Sequence, residues 1–168
     1  SHLAGEKSVL FADSNSKMKG IVLRLTNCFG KPTHKEANCW MLLVNDLCRQ
    51  AVEEKNLTLR SNGKQLRDFI SIKSLCEKIE LLVHSKVVQS DNNLFVLNVS
   101  SGESLQVGAM AILIQQRCEK ILGYKPDLSI NLEDTTKYDQ KLAIEPSKIG
   151  QSLDKPKDKV REIDELLV

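Results

Sequence analysis

Aromatic side chains are scarce in this chain of 168 residues, with one tryptophan, two tyrosines and four phenylalanines. A nucleic-acid interface built on stacked bases has little to work with here. An excess of positive charge is also missing, because 24 basic residues stand against 22 acidic ones, so a phosphate backbone is not the expected partner. No apolar run reaches the length of a membrane span, and no signal peptide opens the sequence, so neither a membrane nor export is expected. The five cysteines, at 28, 39, 48, 76 and 118, are odd in number and lack close metal-type spacing. They read as reduced structural thiols of a cytoplasmic protein. Glycine-rich phosphate loops are missing too: neither GxGxxG nor GxxGxxG occurs.

What is present is a globular composition, 41% hydrophobic and 27% charged, in a chain long enough for one domain or a large piece of one. The start, Ser1-His2-Leu3 without methionine, fits a fragment or a cleaved product, and Ser1-His2 fits a cloning remnant equally well. Residues 2–17 read as a helix with an apolar stripe at Leu3, Val9, Leu10 and Phe11. A β-branched run from Ile21 to Leu25 reads as a buried strand, and residues 27–35 as the loop beyond it. The next helix is expected over 38–53, with Asn38 as its N-cap. Trp40, Leu43, Val44, Leu47 and Ala51 fall on its inner face, and Asn45, Arg49 and Glu53 face away. Strands follow at 57–60 and 67–70, separated by the turn Ser61-Asn62-Gly63-Lys64, and a helix over 72–84 is apolar at Leu75, Ile79, Leu82 and Val83. A strand at 94–99, a turn at 100–104 and a helix over 105–122 closing on Gly123 complete the strongest part of the pattern. Beyond it the sequence predicts a short strand at 127–130, a helical turn at 138–143, an exposed charged stretch at 151–159 and an amphipathic helix at 160–168. Helices and strands alternate, so the class is α/β.

A strand that ends in a small polar cluster, as Leu25-Thr26-Asn27 does, marks the edge where open α/β sheets place ligand chemistry. Four segments in order carry a resemblance. Val22-Leu23-Arg24-Leu25-Thr26-Asn27-Cys28-Phe29-Gly30 is similar to a strand-to-loop motif of the extended short-chain dehydrogenase/reductases. Gly63-Lys64-Gln65-Leu66-Arg67-Asp68-Phe69-Ile70 is similar to their second motif. Phe95-Val96-Leu97-Asn98-Val99-Ser100-Ser101-Gly102-Glu103-Ser104-Leu105 is similar to the third, and Ser1-His2-Leu3-Ala4-Gly5-Glu6 to the helix after their catalytic tyrosine. The chain therefore resembles the C-terminal half of the NAD-dependent sugar-nucleotide epimerases and dehydratases, typified by UDP-glucose 4-epimerase, from residue 1 to about 123.

The resemblance implies an incomplete Rossmann-type fold: the last helix and strand of the cofactor domain (residues 1–35), then a small α/β substrate-binding lobe (36–168) with a variable tail after about 123. It also implies roles for individual residues. Asn27 stands where the family's asparagine binds the sugar-nucleotide phosphate, with an amide that donates without adding charge. Asn38 resembles a second diphosphate-contacting asparagine, and as a plain N-cap it is read equally well. Arg67 stands where the family grips the diphosphate, a task suited to a planar guanidinium; the other reading is a surface arginine paired with Asp68 or a neighbouring glutamate. Arg60 falls where an aromatic often lies near the base, so it either stacks there or is an exposed strand arginine. His2 falls at the place of the lysine that holds the nicotinamide ribose, or is merely a terminal residue.

Departures from the family are as informative. The catalytic tyrosine and the glycine-rich NAD loop lie outside this chain, Lys73 and Ser74 replace the usual acidic residues, and no late arginine appears between Pro126 and Tyr138. The expected function is the nucleotide-sugar-binding portion of an NAD-dependent epimerase or dehydratase, inactive alone. NAD is expected in the intact parent, with no tight binding to this chain. The alternative is a non-catalytic remnant that binds a nucleotide sugar or a partner protein, or forms a homodimer, through a strand edge and an apolar face exposed near Ile21–Leu25 and the helix over 2–17.

Overall fold

Short β-branched and aromatic runs form the strands, and longer segments of helical period cross between them. The computed structural model describes residues 1–15, 19–34, 36–84, 95–137 and 157–168. In chain order the elements are α1 (His2–Asn15), β1 (Ile21–Leu25), β2 (Asn27–Phe29), α2 (Leu43–Glu53), β3 (Asn56–Leu59) and β4 (Leu66–Ser71). Then come α3 (Ile72–His84), β5 (Phe95–Val99), β6 (Ser104–Gln106), α4 (Val107–Leu122), β7 (Asp127–Ile130) and α5 (Lys157–Leu166).

Among the described residues the strands make three small sheets. β1 pairs in parallel with β5, from Ile21 opposite Phe95 to Leu25 opposite Val99. β2 pairs in parallel with β4, and β4 in turn pairs antiparallel with β6. β3 pairs in parallel with β7. Parallel partners need a crossover, and α2, α3 and α4 lie within those crossovers, which is why the pattern reads as α/β.

The main core lies where α2 and α4 pack over β3, with α5 against both helices. Val44, Leu47, Cys48 and Ala51 of α2 meet Met110, Ala111, Ile114 and Cys118 of α4, with Ile163 and Leu167 closing the far side. A bidentate pair fastens α5 to α4: Arg117 Nε donates to Asp164 Oδ1 at 2.7 Å and Nη2 to Oδ2 at 2.6 Å. A second cluster of Ile70, Leu75 and Val99, with Leu23 and Cys28 against it, joins the β1–β5 sheet to β4 and α3.

Several expectations need correction. α2 begins at Leu43, not at residue 38; its cap position is Leu42, with no side-chain bond, and Asn38 lies in exposed irregular chain. The helical period misleads at Asn45, which is completely buried because its amide brackets Gly30: Nδ2 donates to the Gly30 carbonyl at 2.9 Å, and the Gly30 amide donates to Oδ1 at 3.1 Å. Asn27–Phe29 is a strand and not loop, because β4 supplies a partner for its backbone. Ser104–Gln106 pairs with β4 as β6, so α4 starts at Val107 and not at 105. α1 buries none of its residues, and Leu3 and Phe11 of its expected apolar stripe are exposed. Ile79 and Val83 of α3 are exposed as well. Lys159 belongs to α5 rather than to an exposed stretch. The helical turn expected at 138–143 lies outside the described residues.

The remaining elements match. α3 runs over the expected residues, β7 is a strand at 127–130, and Gly123 ends α4 in the left-handed conformation (φ 76°) that a side chain disfavours.

Candidate functional site

At Thr26 the chain leaves one sheet for another. Its amide still donates to the Val99 carbonyl of β5 at 3.1 Å, and the next residue, Asn27, is already paired with β4 opposite Phe69. β5 makes the matching departure at Ser100 and Ser101 before β6. Between these two switch points sits the Asp68 carboxylate, 1% exposed. Oδ1 accepts from the Thr26 hydroxyl at 2.6 Å and the Ser101 amide at 2.8 Å, and Oδ2 from the Ser101 hydroxyl at 3.0 Å. The Asp68 main-chain carbonyl accepts from Asn27 Nδ2 at 3.0 Å. Nearby, the buried Lys78 ammonium donates to the Ser100 carbonyl at 2.7 Å, and Lys159 of α5 donates to Ser101 Oγ at 3.0 Å.

Strand alternation sends Arg67 the opposite way from Asp68. The guanidinium faces a cleft of about 820 Å³ whose wall also includes Asn27, Arg60, Gln65, Trp40 and Asp134. This excludes the pairing of Arg67 with Asp68 as its explanation. No hydrogen bond or ion pair engages the guanidinium of Arg67 or of Arg60 among the described residues. The other charged side chains of the cleft have partners within the protein, although Arg49 Nε is buried without one among the described residues. Asp46 takes hydrogen bonds from Arg49 and from Gln50, and Asp134 Oδ2 accepts from the Asn62 amide at 3.0 Å. The cleft thus carries two guanidinium groups without a protein partner among the described residues, together with the Asp134 carboxylate, a setting that favours an anion.

Local chain geometry shapes its walls. Gly63 has φ 72°, and a Cβ there would lie 3.1 Å from Gly108 Cα, so only glycine lets the 61–65 turn sit this close to α4. The Gly63 and Gln65 carbonyls accept from the Gly108 and Val107 amides at 2.8 and 2.9 Å. The first amides of α4 are thereby used within the protein. α2 differs, since Leu43 of its first turn lines the cleft and no side chain caps it. Asn62 Nδ2 donates to the Asp134 and Thr136 carbonyls at 2.8 and 3.1 Å, which fixes the opposite wall.

The structure gathers three of the sequence-derived residues, Asn27, Arg60 and Arg67, at this one cleft, and Asn38 is not among its lining residues. His2 lies elsewhere, at an apolar groove between α1 and β1 lined also by Gly5, Val9 and Ile21. Sequence reasoning passed over Asp68, Gln65, Trp40 and Asp134. Alternation along β4 could have singled out Asp68, whereas Asp134 comes to the cleft only through the pairing of β7 with β3. Burial holds the thiol of Cys28, next to Asn27, above its ordinary pKa, so at neutral pH it is a neutral packing group.

The sequence has no glycine-rich turn to receive a pyrophosphate, and the His2 groove offers an exposed imidazole beside Glu6 among mainly apolar neighbours.

The fold is that of a large group of enzymes. A UDP-N-acetylglucosamine 4-epimerase from Methanobrevibacter ruminantium M1, solved with UDP-N-acetylmuramic acid, is similar to it with a TM-score of 0.71 at 18% identity, over 98% of this chain and 50% of that one. A UDP-glucuronic acid 4-epimerase from Bacillus cereus, solved with UDP-glucuronic acid and NAD, gives 0.68 at 22% identity, over 98% and 50%. The UDP-glucose 4-epimerase of Thermus thermophilus, in complex with NAD, gives 0.65 at 17%, over 97% and 51%. The chain spans about half the length of these proteins. No curated protein matches it by sequence. The model of the NAD dependent epimerase/dehydratase family matches residues 1–99, more than half of the sequence. With its parallel strand pairs and its Rossmann-type likeness, the chain belongs to the NAD dependent epimerase/dehydratase family.

Proposed function

We propose that this chain is the nucleotide-sugar-binding portion of an NAD-dependent sugar-nucleotide epimerase or dehydratase, with the cleft between α2, β3 and β4 as its ligand site. The observation that carries this reading is the pair of guanidinium groups, Arg67 and Arg60, left without protein partners among the described residues, beside Asn27. A nucleoside diphosphate brings two or more negative charges and acceptor oxygens on both phosphates. Arg67 would take one phosphate in a fork, Asn27 would donate its second amide hydrogen, and Arg60 would lie toward the base. The start of α2 adds a favourable dipole. In this reading residues 1–35 continue the cofactor domain and 36–168 form most of the lobe, and β5 adds 95–99 to the sheet of β1. These residues hold the diphosphate so that the sugar reaches a cofactor bound elsewhere in the complete enzyme. NAD supplies hydride chemistry there.

The test is a calorimetric titration of the folded chain with UDP-glucose and dTDP-glucose, followed in parallel by the fluorescence of Trp40, the only tryptophan. Saturable binding is expected, weakened about tenfold or more in Arg67→Ala, the scale of one charge-assisted hydrogen bond. Absence of heat and of fluorescence change with either nucleotide sugar would sink the reading.

A second reading, association of a non-catalytic remnant through its sheet edge, is favoured by one observation. α1 buries none of its residues, and the groove between it and β1 is mainly apolar. Light scattering over a concentration series tests it: self-association that is lost in Phe11→Glu supports the reading, and a monomer at all concentrations rejects a homodimer.

A further inference from the structure

We infer that Asp68 is the positioning residue of the cleft, a buried carboxylate that sets Asn27 and Arg67 in place by stapling two sheet switch points together. The inference rests on the nucleotide-sugar reading for its ligand and on independent geometry for its mechanism. Asn27 directly follows Thr26, whose hydroxyl donates to Asp68 Oδ1 at 2.6 Å. Arg67 directly precedes Asp68 on β4. The Asn27 amide is itself tied to the Asp68 main-chain carbonyl at 3.0 Å, which leaves one of its two hydrogens for a ligand. Both cleft donors are therefore anchored within one residue of the same carboxylate.

The third anchor comes from the far side. Ser101, at the departure of β5 toward β6, donates to Asp68 through its amide at 2.8 Å and its hydroxyl at 3.0 Å. Its hydroxyl oxygen accepts in turn from Lys159 at 3.0 Å and from the Glu103 amide at 3.2 Å. Asp68 therefore joins β1, β4 and the β5–β6 turn, with α5 fastened behind it. A carboxylate that is 1% exposed and holds three donors cannot rotate without leaving some of them unpaired. Its neighbours on the backbone inherit that rigidity, and a ligand meets donors already aimed.

The experiment compares Asp68→Ala, Asp68→Asn and Ser101→Ala in the full chain. Affinity for UDP-glucose is measured well below each melting temperature, and the side-chain resonances of Asn27 and Arg67 are recorded without ligand. Asp68→Ala is expected to lose affinity by about tenfold or more. Asp68→Asn keeps a carbonyl oxygen for Thr26 and the Ser101 amide and loses only the acceptor of the Ser101 hydroxyl, so it recovers part of that affinity. Ser101→Ala, which also serves if Asp68→Ala fails to fold, broadens or shifts the Asn27 and Arg67 resonances and weakens binding severalfold. Ser71→Ala is the control. It removes another buried hydroxyl, one bonded to Ser74 and not to Asp68, and should change neither readout even where it lowers stability.

Unmoved resonances and unchanged affinity in a folded Ser101→Ala protein overturn the inference. Loss in Asp68→Asn equal to that in Asp68→Ala overturns it also, because charge and not cross-linking would then be the cause. If the unaltered chain binds no nucleotide sugar, the ligand reading falls, while the ligand-free resonances still decide whether Asp68 positions the two donors.

Discussion

Replacing Asn45 with alanine isolates one buried contact that the helical pattern of α2 conceals. The side chain has no exposure, and its amide makes both of its hydrogen bonds to the main chain of Gly30, just past the end of β2. Alanine removes the two bonds and leaves the Gly30 amide and carbonyl facing a small void. Each lost bond costs about 1 kcal/mol, and the unpaired Gly30 groups with the void add about 1 kcal/mol or more, for a sum of about 3 kcal/mol. For a chain of this size that corresponds to a fall in Tm of roughly 6–12 °C. Equilibrium urea unfolding, followed by circular dichroism, measures the change at constant m-value. Asn45→Asp is a sharper companion, since it still accepts from the Gly30 amide but cannot donate to the carbonyl, and it adds a charge in a buried place; its cost should equal or exceed that of alanine. An Asn45→Ala protein within about 0.5 kcal/mol of the original would refute the reasoning.

Other expectations follow from the same geometry. Cutting the bidentate link between α4 and α5 with Arg117→Ala should cost about 1–2 kcal/mol in urea unfolding, since both side chains are partly sheltered. Gly123→Ala should cost about 1 kcal/mol by strain alone, because nothing stands within 4 Å of the new Cβ. Burial pushes the Cys48 thiol up to about 12 from 9.0. Between those values the unfolded chain is ionised and the native one is not, so stability is full below pH 9 and falls on the way to 12 by about 1.4 kcal/mol per pH unit from this group. Cys48→Ala should flatten that slope in alkaline unfolding curves. A thiol reagent should label Cys76, the exposed cysteine, first, and reach Cys48 and Cys118 only on unfolding.

Much of this arrangement could be read from residue order, and the places where it could not have physical causes. α3 and the Gly123 stop follow from local rules, a period and a left-handed cap, which act within a few residues. Asn27, Arg60 and Arg67 are legible through the family resemblance, and the fold brings all three to one cleft although Asn27 and Arg67 lie at the start of β2 and β4 while Arg60 follows β3 in another sheet. β2 and β6 escaped because a three-residue strand has no periodicity of its own and exists only where β4 offers a partner. Asn45 reads as outward because a polar residue on a helix usually faces solvent; tertiary hydrogen bonding to a distant glycine overrides that preference. Asn38 was plausible as a cap, yet α2 starts five residues later without any side-chain cap. Asp68 was hidden in plain view beside Arg67, since only the convergence of Thr26 and Ser101 gives a buried carboxylate its purpose.

The strand pairings carry a consequence for how the chain acquires its shape. Each parallel pair joins segments far apart in sequence: about seventy residues for β1 with β5 and for β3 with β7, and about forty for β2 with β4. No pair can close by local zipping, and each must spend loop entropy before its contacts return anything. High contact order of this kind makes for slow, late closure, with helices forming early and strands waiting for distant partners. During that interval the apolar strands Ile21–Leu25 and Phe95–Val99 stand open at both edges. Refolding yield should therefore drop as protein concentration rises, and ribosomal synthesis must reach β5 before β1 has a partner within this chain.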